Sequence, residues 1–244
     1  MDLSGKVYVV TGGRGGIGAA TVKKLAENGA KVVWTDINPG TVDDPVPGAV
    51  FFQQDVGSPD DWLALEKFVS DEFGRLDGLV NNAGIYQSLS IEDITLDDLR
   101  KVMRVNAEGP MFGCQVALRL MKPGGSIVNV SSVSGVKPGI NEIAYGMAKG
   151  AVINLTQSIA NHCILNKNGI RCNAIAPGGV VTPLTMSQPL PEDMSVIERI
   201  LAQTLHHRMA EASEMANLIV FLLSDEASYI TGQTHIADGG YLVA

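Results

Sequence analysis

Apolar positions along this chain fall into two alternating rhythms. The runs KVYVVTG, KVVWTDI, VFFQQDV, LDGLVNNAG, SIVNVSS, GIRCNAIAPG and THIADGG are short, rich in β-branched residues and nearly continuous in apolar content. Such runs read as strands buried on both faces of a parallel sheet. Between them, apolar residues recur at helical spacing. One helix is expected from Gly16 to Asn28, ending at Gly29, which suits the left-handed position just past a helix. Ser58 and Pro59 open a second, as N-cap and first helical residue, running to about Phe73. Thr95 to Met121 and Asn141 to Leu165 read as two long helices, and Ala212 to Ser224 closes the series. This alternation predicts an α/β fold, a doubly wound parallel sheet of about seven strands with helices on both faces. Ligands of such sheets sit outside the carboxyl ends of the strands.

The rhythm lapses in two places. Residues 38–49, NPGTVDDPVPGA, carry three prolines, two glycines and no helical stripe, which predicts a short loop crossing. Residues 183–208, PLTMSQPLPEDMSVIERILAQTLHHR, read as a mobile lid with one helix from about Met194 to Leu205. Within it Met186, Leu190, Met194 and Leu205 either line an apolar pocket or pack that helix on the core, and His206 and His207 read as surface residues.

Composition narrows the class. A chain of 244 residues with 45% hydrophobic and 18% charged residues has the material for one core, so a single domain over 1–244 is expected. A net charge of −8 with scattered Lys and Arg argues against a nucleic-acid partner. Cys114, Cys163 and Cys172 read as free, buried or half-buried thiols of a reducing compartment. The start MDLSGKVYVV lacks a signal-peptide pattern, and the run from Leu218 to Leu223 is too short to span a bilayer. A soluble cytoplasmic protein with no membrane partner is expected.

The candidate chemistry lies at strand ends. TGGRGGIG, Thr11 to Gly18, follows the first strand and opens the first helix. Its glycines fit G-x-G-x-x-G through Gly13, Gly15 and Gly18, or a looser pattern through Gly12, Gly16 and Gly18. Either lets backbone approach a pyrophosphate at a helix N-terminus. The second strand ends at Asp36, whose carboxylate can accept both adenosine ribose hydroxyls and would repel a 2′-phosphate. This predicts NAD over NADP. Asp55 can accept from an adenine amino group, with Val56 beside the ring. Arg14 either reaches a cofactor phosphate or faces water. Tyr145 and Lys149 are spaced i, i+4, on one helix face. No metal site is expected.

Taken together, the glycine turn, Asp36, Asp55-Val56, Asn81-Asn82-Ala83-Gly84, Ser131-Ser132, Tyr145-x-x-x-Lys149 and Pro177-Gly178 resemble the short-chain dehydrogenase/reductase family in order and spacing, from Gly5 to Tyr241. The resemblance implies a Rossmann-like fold and the register Gly12, Gly16, Gly18. It implies Tyr145, Lys149, Ser132 and Asn106 as catalytic residues. It implies a cofactor contact surface that also includes Ile17, Ile37, Asn82, Ala83, Gly84, Pro177, Gly178, Val180 and Thr182. Tyr145 would take the alcohol proton as hydride leaves for nicotinamide, with Lys149 drawing the phenol down from its ordinary pKa near 10. Ser132 would hold the same oxygen, and Asn106 a water in a proton relay. Residues 135–142 would form a pocket wall, and the absence of a cationic cluster favours an apolar secondary alcohol or ketone. The sequence is also similar to bacterial hydroxysteroid and cyclic-alcohol dehydrogenases, in TDIN, in GCQ and in MKPGGSIVNVSSVSG. The alternative within the family is a 3-oxoacyl-thioester or other carbonyl reductase. The two long helices and the C-terminal strand resemble the subunit contacts of the family, which implies a homotetramer.

Overall fold

The computed structural model describes residues 1–38, 46–187 and 201–244. The central sheet contains β1 (Val7–Thr11), β2 (Lys31–Asp36), β3 (Ala49–Gln53), β4 (Leu76–Asn81), β5 (Met121–Val130) and β6 (Arg171–Pro177). Two short strands, β7 (Val180–Val181) and β8 (Ala210–Glu211), pair separately, and β9 (Thr234–Ala237) completes the sheet. Its order is β3-β2-β1-β4-β5-β6-β9, and every pairing is parallel. All five residues of β1 are buried, as the unbroken apolar run anticipates.

Helices cover both faces. Helices α1 (Gly16–Glu27) and α7 (Ala212–Leu223) bury Val22, Leu25, Ile219 and Leu222 against Tyr8, Val10 and Val32. On the other face, α2 (Pro59–Phe73), α4 (Gly109–Leu120) and α5 (Ile143–Leu165) pack Trp62, Leu65 and Ala117 on Val9, Leu79 and Ile127. Ser58 caps α2 by accepting from the Asp61 N–H at 3.2 Å, and Gly29 follows α1 at φ 85°, both as the sequence predicts. The three cysteines are free and buried.

The helix expected over Thr95 to Met121 is interrupted. Helix α3 (Leu96–Met103) passes through a π-helical turn, Arg104–Glu108, before α4 begins. Pro110 is the physical reason. It has no N–H for the carbonyl four residues back, on Asn106, and its ring crowds that carbonyl. The short helix α6 (Pro183–Met186) opens the expected lid. Leu190, Met194 and most of the lid helix lie outside the described residues, as does 39–45 of the expected loop crossing. Leu205 is 78% exposed, so it neither lines a pocket nor packs on the core. No described helix is long and apolar enough to cross a membrane.

A buried polar chain sets the height of α5 on the sheet. Asn81 Nδ2 donates to Asn129 Oδ1 (2.8 Å), Asn129 Nδ2 to Thr156 Oγ1 (2.9 Å), and Thr156 Oγ1 to the Val152 carbonyl (2.8 Å). These bonds lie away from water and tie β4, β5 and α5 into one register. The N-terminal turns of α5, carrying Tyr145 and Lys149, therefore stand beside the carboxyl end of β5.

Candidate active site

The strand order reverses between β1 and β4, and the crevice of a doubly wound sheet opens there. Gly12 leaves β1 at φ 64°, and Gly16 starts α1 at φ 54°, values that L side chains rarely adopt. A Cβ on Gly12 would come to 2.8 Å from Ala83 Cα, and one on Gly18 would overlap the Gly12 carbonyl oxygen. Gly13 is as tight, a Cβ there lying 2.6 Å from Trp34 Cβ, but one on Gly15 would sit 3.4 Å from Pro183, so of the two registers Gly12, Gly16, Gly18 is the one that needs glycine at every position. Gly15, the N-cap of α1, offers no side chain to its first N–H groups, so those donors remain for an anion.

A cleft of about 260 Å³ follows this turn. Gly12, Gly15 and Ile17 line one end with Asp36. Asn82, Ala83 and Gly84 form its floor, and Pro177, Gly178, Val180 and Thr182 one side. Asn82 is fixed by donating to the Thr11 and Gly12 carbonyls at 2.9 and 3.1 Å. At the far end stand Ser132, Tyr145 and Lys149. Anion-ready N–H donors, a terminal carboxylate and, among the described residues, a single lining cation suit a nicotinamide dinucleotide.

Other predicted contacts fall elsewhere. Asp55 and Ile37 line a neighbouring hollow with Phe52 and Asp61, not the cleft. The Asp55 carboxylate accepts from Arg104 Nη1 (2.8 Å) and from the Gly57 N–H (2.8 Å), while Val56 is buried against Gly109. Arg14 is exposed and has no hydrogen bond or ion pair among the described residues. Asn106 is buried in the π-helical turn, its amide spent on Ile85: Nδ2 donates to the Ile85 carbonyl and Oδ1 accepts from the Ile85 N–H, both at 2.8 Å. Pro110 leaves the Asn106 backbone carbonyl, rather than its side chain, without an α-helical donor.

A family model described as "Enoyl-(Acyl carrier protein) reductase" matches residues 12–242, from the glycine turn to the last described turn. The chain belongs to the short-chain dehydrogenase/reductase family. It is 35% identical to an "NADP-dependent (R)-specific alcohol dehydrogenase" of Lentilactobacillus kefiri, over 98% of this chain and 97% of that one. It is 38% identical to a "3-alpha-(or 20-beta)-hydroxysteroid dehydrogenase" of Mycobacterium tuberculosis, over 98% and 90%. The ligand-free aldohexose dehydrogenase of Thermoplasma acidophilum superposes with a TM-score of 0.88 at 32% identity, covering 99% of this chain and 96% of that one.

In this short-chain dehydrogenase/reductase the environment of the tyrosine differs from the sequence expectation. Burial pushes the Tyr145 phenol up to about 12; a hydrogen bond with Ser132 pulls the other way, and the charges of Glu142 and Tyr86 add to the rise. Lys149 is turned toward the end of β5. Its Nζ donates to the Val130 carbonyl at 2.8 Å and stands 5.6 Å from the Tyr145 ring centroid. Burial alone brings Lys149 down to about 8. Ser131 anchors the same turn by donating to the Lys149 carbonyl at 2.8 Å. Val130, Ser131, Pro183 and Thr185 also line the cleft, and sequence reading had not singled them out as lining residues. The GxxxG-like glycine turn points to the cleft, whereas strand-end carbonyls carry no sequence signal.

The depressed Lys149 makes the cofactor-free enzyme store instability. The unfolded lysine binds its proton up to about 10.5, the folded one only to about 8. Below about 8 the folded state therefore carries the full penalty, on the order of 3 kcal/mol, and stability rises as pH climbs through the window. Lys149→Met removes that penalty but leaves the Val130 carbonyl unpaired, at about 1 kcal/mol. The variant is expected to unfold at higher urea than wild type at pH 7 without coenzyme, by about 1–2 kcal/mol, while losing turnover. A lower urea midpoint would contradict this electrostatic reading.

Beside the cleft lies a larger cavity of about 680 Å³, joined to it through Thr185. Val133, Met186, Met209 and Met215 supply apolar wall, and Lys137, Gly139 and Glu142 come from the predicted 135–142 wall. His206 is exposed at its rim.

Proposed function

We propose that this enzyme moves hydride between NAD and an apolar secondary alcohol or the corresponding ketone. The observation that carries the reading is the convergence of Ser132, Tyr145 and Lys149 on a glycine-walled cleft whose opposite end is Asp36. When bound, the dinucleotide supplies the hydride acceptor or donor. Gly12, Gly16, Ile17 and Gly18 hold its pyrophosphate at the α1 N-terminus, and Asp36 accepts from the adenosine ribose hydroxyls. Asn82 to Gly84 wall the adenosine ribose, and Pro177, Gly178, Val180 and Thr182 clamp the nicotinamide end.

Tyr145 takes the carbinol proton in oxidation and returns it in reduction. Ser132 hydrogen-bonds the same substrate oxygen and holds it in register. Lys149, among the described residues the one cation lining the cleft, holds the nicotinamide ribose and biases Tyr145 toward phenolate when water is excluded. The Asn106 carbonyl holds the water that passes protons from Lys149 to solvent. The methionine-rich cavity wall supports an apolar substrate body.

The test is a panel of secondary alcohols and ketones followed by coenzyme absorbance, with a 3-oxoacyl thioester and NADPH included. The thioester belongs there because the matching family description names a carrier-protein reductase. Turnover of the thioester with NADPH alone would replace the alcohol reading.

A homotetramer completes the proposal. Strand β9 is a sheet edge carrying Ile236 at 50% exposure, and Met111 on α4 and Met147 on α5 are exposed too. Unpaired edges and apolar helix faces of this kind favour subunit contacts. Sedimentation at micromolar concentration is expected to give a tetramer; a monomer would contradict it.

A further inference from the structure

Glu142 is the N-cap residue of α5, three positions before Tyr145 and so on the same helix face. It lines the large cavity together with Val133, Met186, Met209 and Met215 and with the charged Lys137, Arg208, Glu214 and Asp238. One carboxylate oxygen accepts from the Tyr86 hydroxyl at 3.1 Å, the other from the Gly139 N–H at 2.8 Å. No Lys, Arg or His pairs with it among the described residues. A carboxylate has about four acceptor positions, so about two remain open. A partly buried charge without a counter-ion is unfavourable unless something hydrogen-bonds it.

The surroundings hold this carboxylate in one place. The Tyr86 ring packs edge-on against Tyr145, with centroids 5.0 Å apart at 66°. Leu89 bridges to Glu142, and the Leu89 N–H donates to the Asn141 carbonyl at 2.9 Å. The same charge contributes to the raised phenol of Tyr145, so the two groups sense each other.

We propose that Glu142 is a specificity-determining residue: its open acceptor positions take a hydrogen bond from a second, neutral hydroxyl on the substrate, close to the reacting carbinol. This deepens the alcohol reading above and rests on it. The substrate is then an apolar secondary alcohol with a neighbouring hydroxyl. A carboxylate at that position is repelled by Glu142. Lys137 and Asp238 line the same cavity, and Arg208 there is paired with Glu214, so the lining carries charges of both signs and a neutral hydroxyl suits it.

The test compares three substrates built on one ring: a cyclic mono-alcohol, the matching vicinal diol and the matching 2-hydroxycarboxylate. For each, kcat/KM is measured with wild type, Glu142→Gln and Glu142→Ala. Ratios are taken within each protein, so a general loss of activity cancels. Wild type should prefer the diol to the mono-alcohol by about tenfold or more, the scale of one hydrogen bond to a charged group. Glu142→Ala should bring that ratio to about one, and Glu142→Gln, which keeps an amide acceptor, should retain part of it. Both variants should gain on the hydroxycarboxylate relative to the mono-alcohol. A diol ratio that is the same in wild type and Glu142→Ala overturns this proposal and leaves the alcohol reading standing. If wild type oxidises none of the three, the alcohol reading falls and this proposal with it.

Discussion

Replacing Tyr145 by Phe should lower kcat/KM for alcohol oxidation by about 10²–10⁴-fold, the usual contribution of a positioned acid or base. Coenzyme affinity should stay near the wild-type value, because the substitution removes only the phenol oxygen that hydrogen-bonds with Ser132 and leaves Lys149 and the glycine turn intact. The ring is retained, so its edge contact with Tyr86 survives and α5 keeps its register through Asn129 and Thr156. Removing one hydroxyl from a group whose neutral form is favoured by burial leaves little structural penalty. Fluorescence titration with reduced coenzyme and steady-state oxidation of one active alcohol check both halves. Turnover within a few-fold of wild type would remove Tyr145 from the chemistry.

The second large effect is on coenzyme choice. Wild type should prefer NAD to NADP, and Asp36→Ser should erase or reverse that preference, changing the ratio of kcat/KM values by about 10²–10³-fold. Two terms add. A carboxylate a few ångströms from a phosphate charge is worth about 1–4 kcal/mol per pair of charges between fully solvated and surface conditions. The lost hydrogen bonds to ribose hydroxyls weaken NAD by about 1.5–3 kcal/mol. Arg14 on the adjoining turn is exposed and without a partner among the described residues. The relative from Lentilactobacillus kefiri is named as NADP-dependent. An NADP preference in wild type would overturn the assignment of Asp36.

Much of the site was legible in the sequence because it is built from local backbone demands. The positive φ of Gly12 and Gly16 and the closeness of Gly18 to the Gly12 carbonyl each need a residue without a side chain, and the sequence spells that need in order. Helical spacing puts Tyr145 and Lys149 on one face, and the family resemblance implies their place in the site. Charge environment was less legible. The i, i+4 spacing suggested direct attraction, yet Lys149 points to the Val130 carbonyl and burial dominates both groups. Asp55 illustrates the same gap, since its counter-ion Arg104 lies 49 residues away in sequence. The π-helical turn at Arg104–Glu108 was written in Pro110, but a proline near a helix start reads equally as an ordinary first-turn residue. Glu142 fell within the predicted pocket wall without being singled out. Only the folded chain brings Tyr86, from the loop after β4, against both Glu142 and Tyr145.

The most direct measurement is the fate of deuterium placed on the carbinol carbon of a secondary alcohol, followed across pH with wild-type enzyme and NAD. The expected result is deuterium in the nicotinamide of the reduced coenzyme, at a rate that falls about tenfold per pH unit below the apparent pKa of Tyr145, as a base losing its unprotonated form requires. Reduced coenzyme without deuterium, or a rate that does not fall as pH drops, would contradict a proton passing through Tyr145 while hydride crosses the cleft.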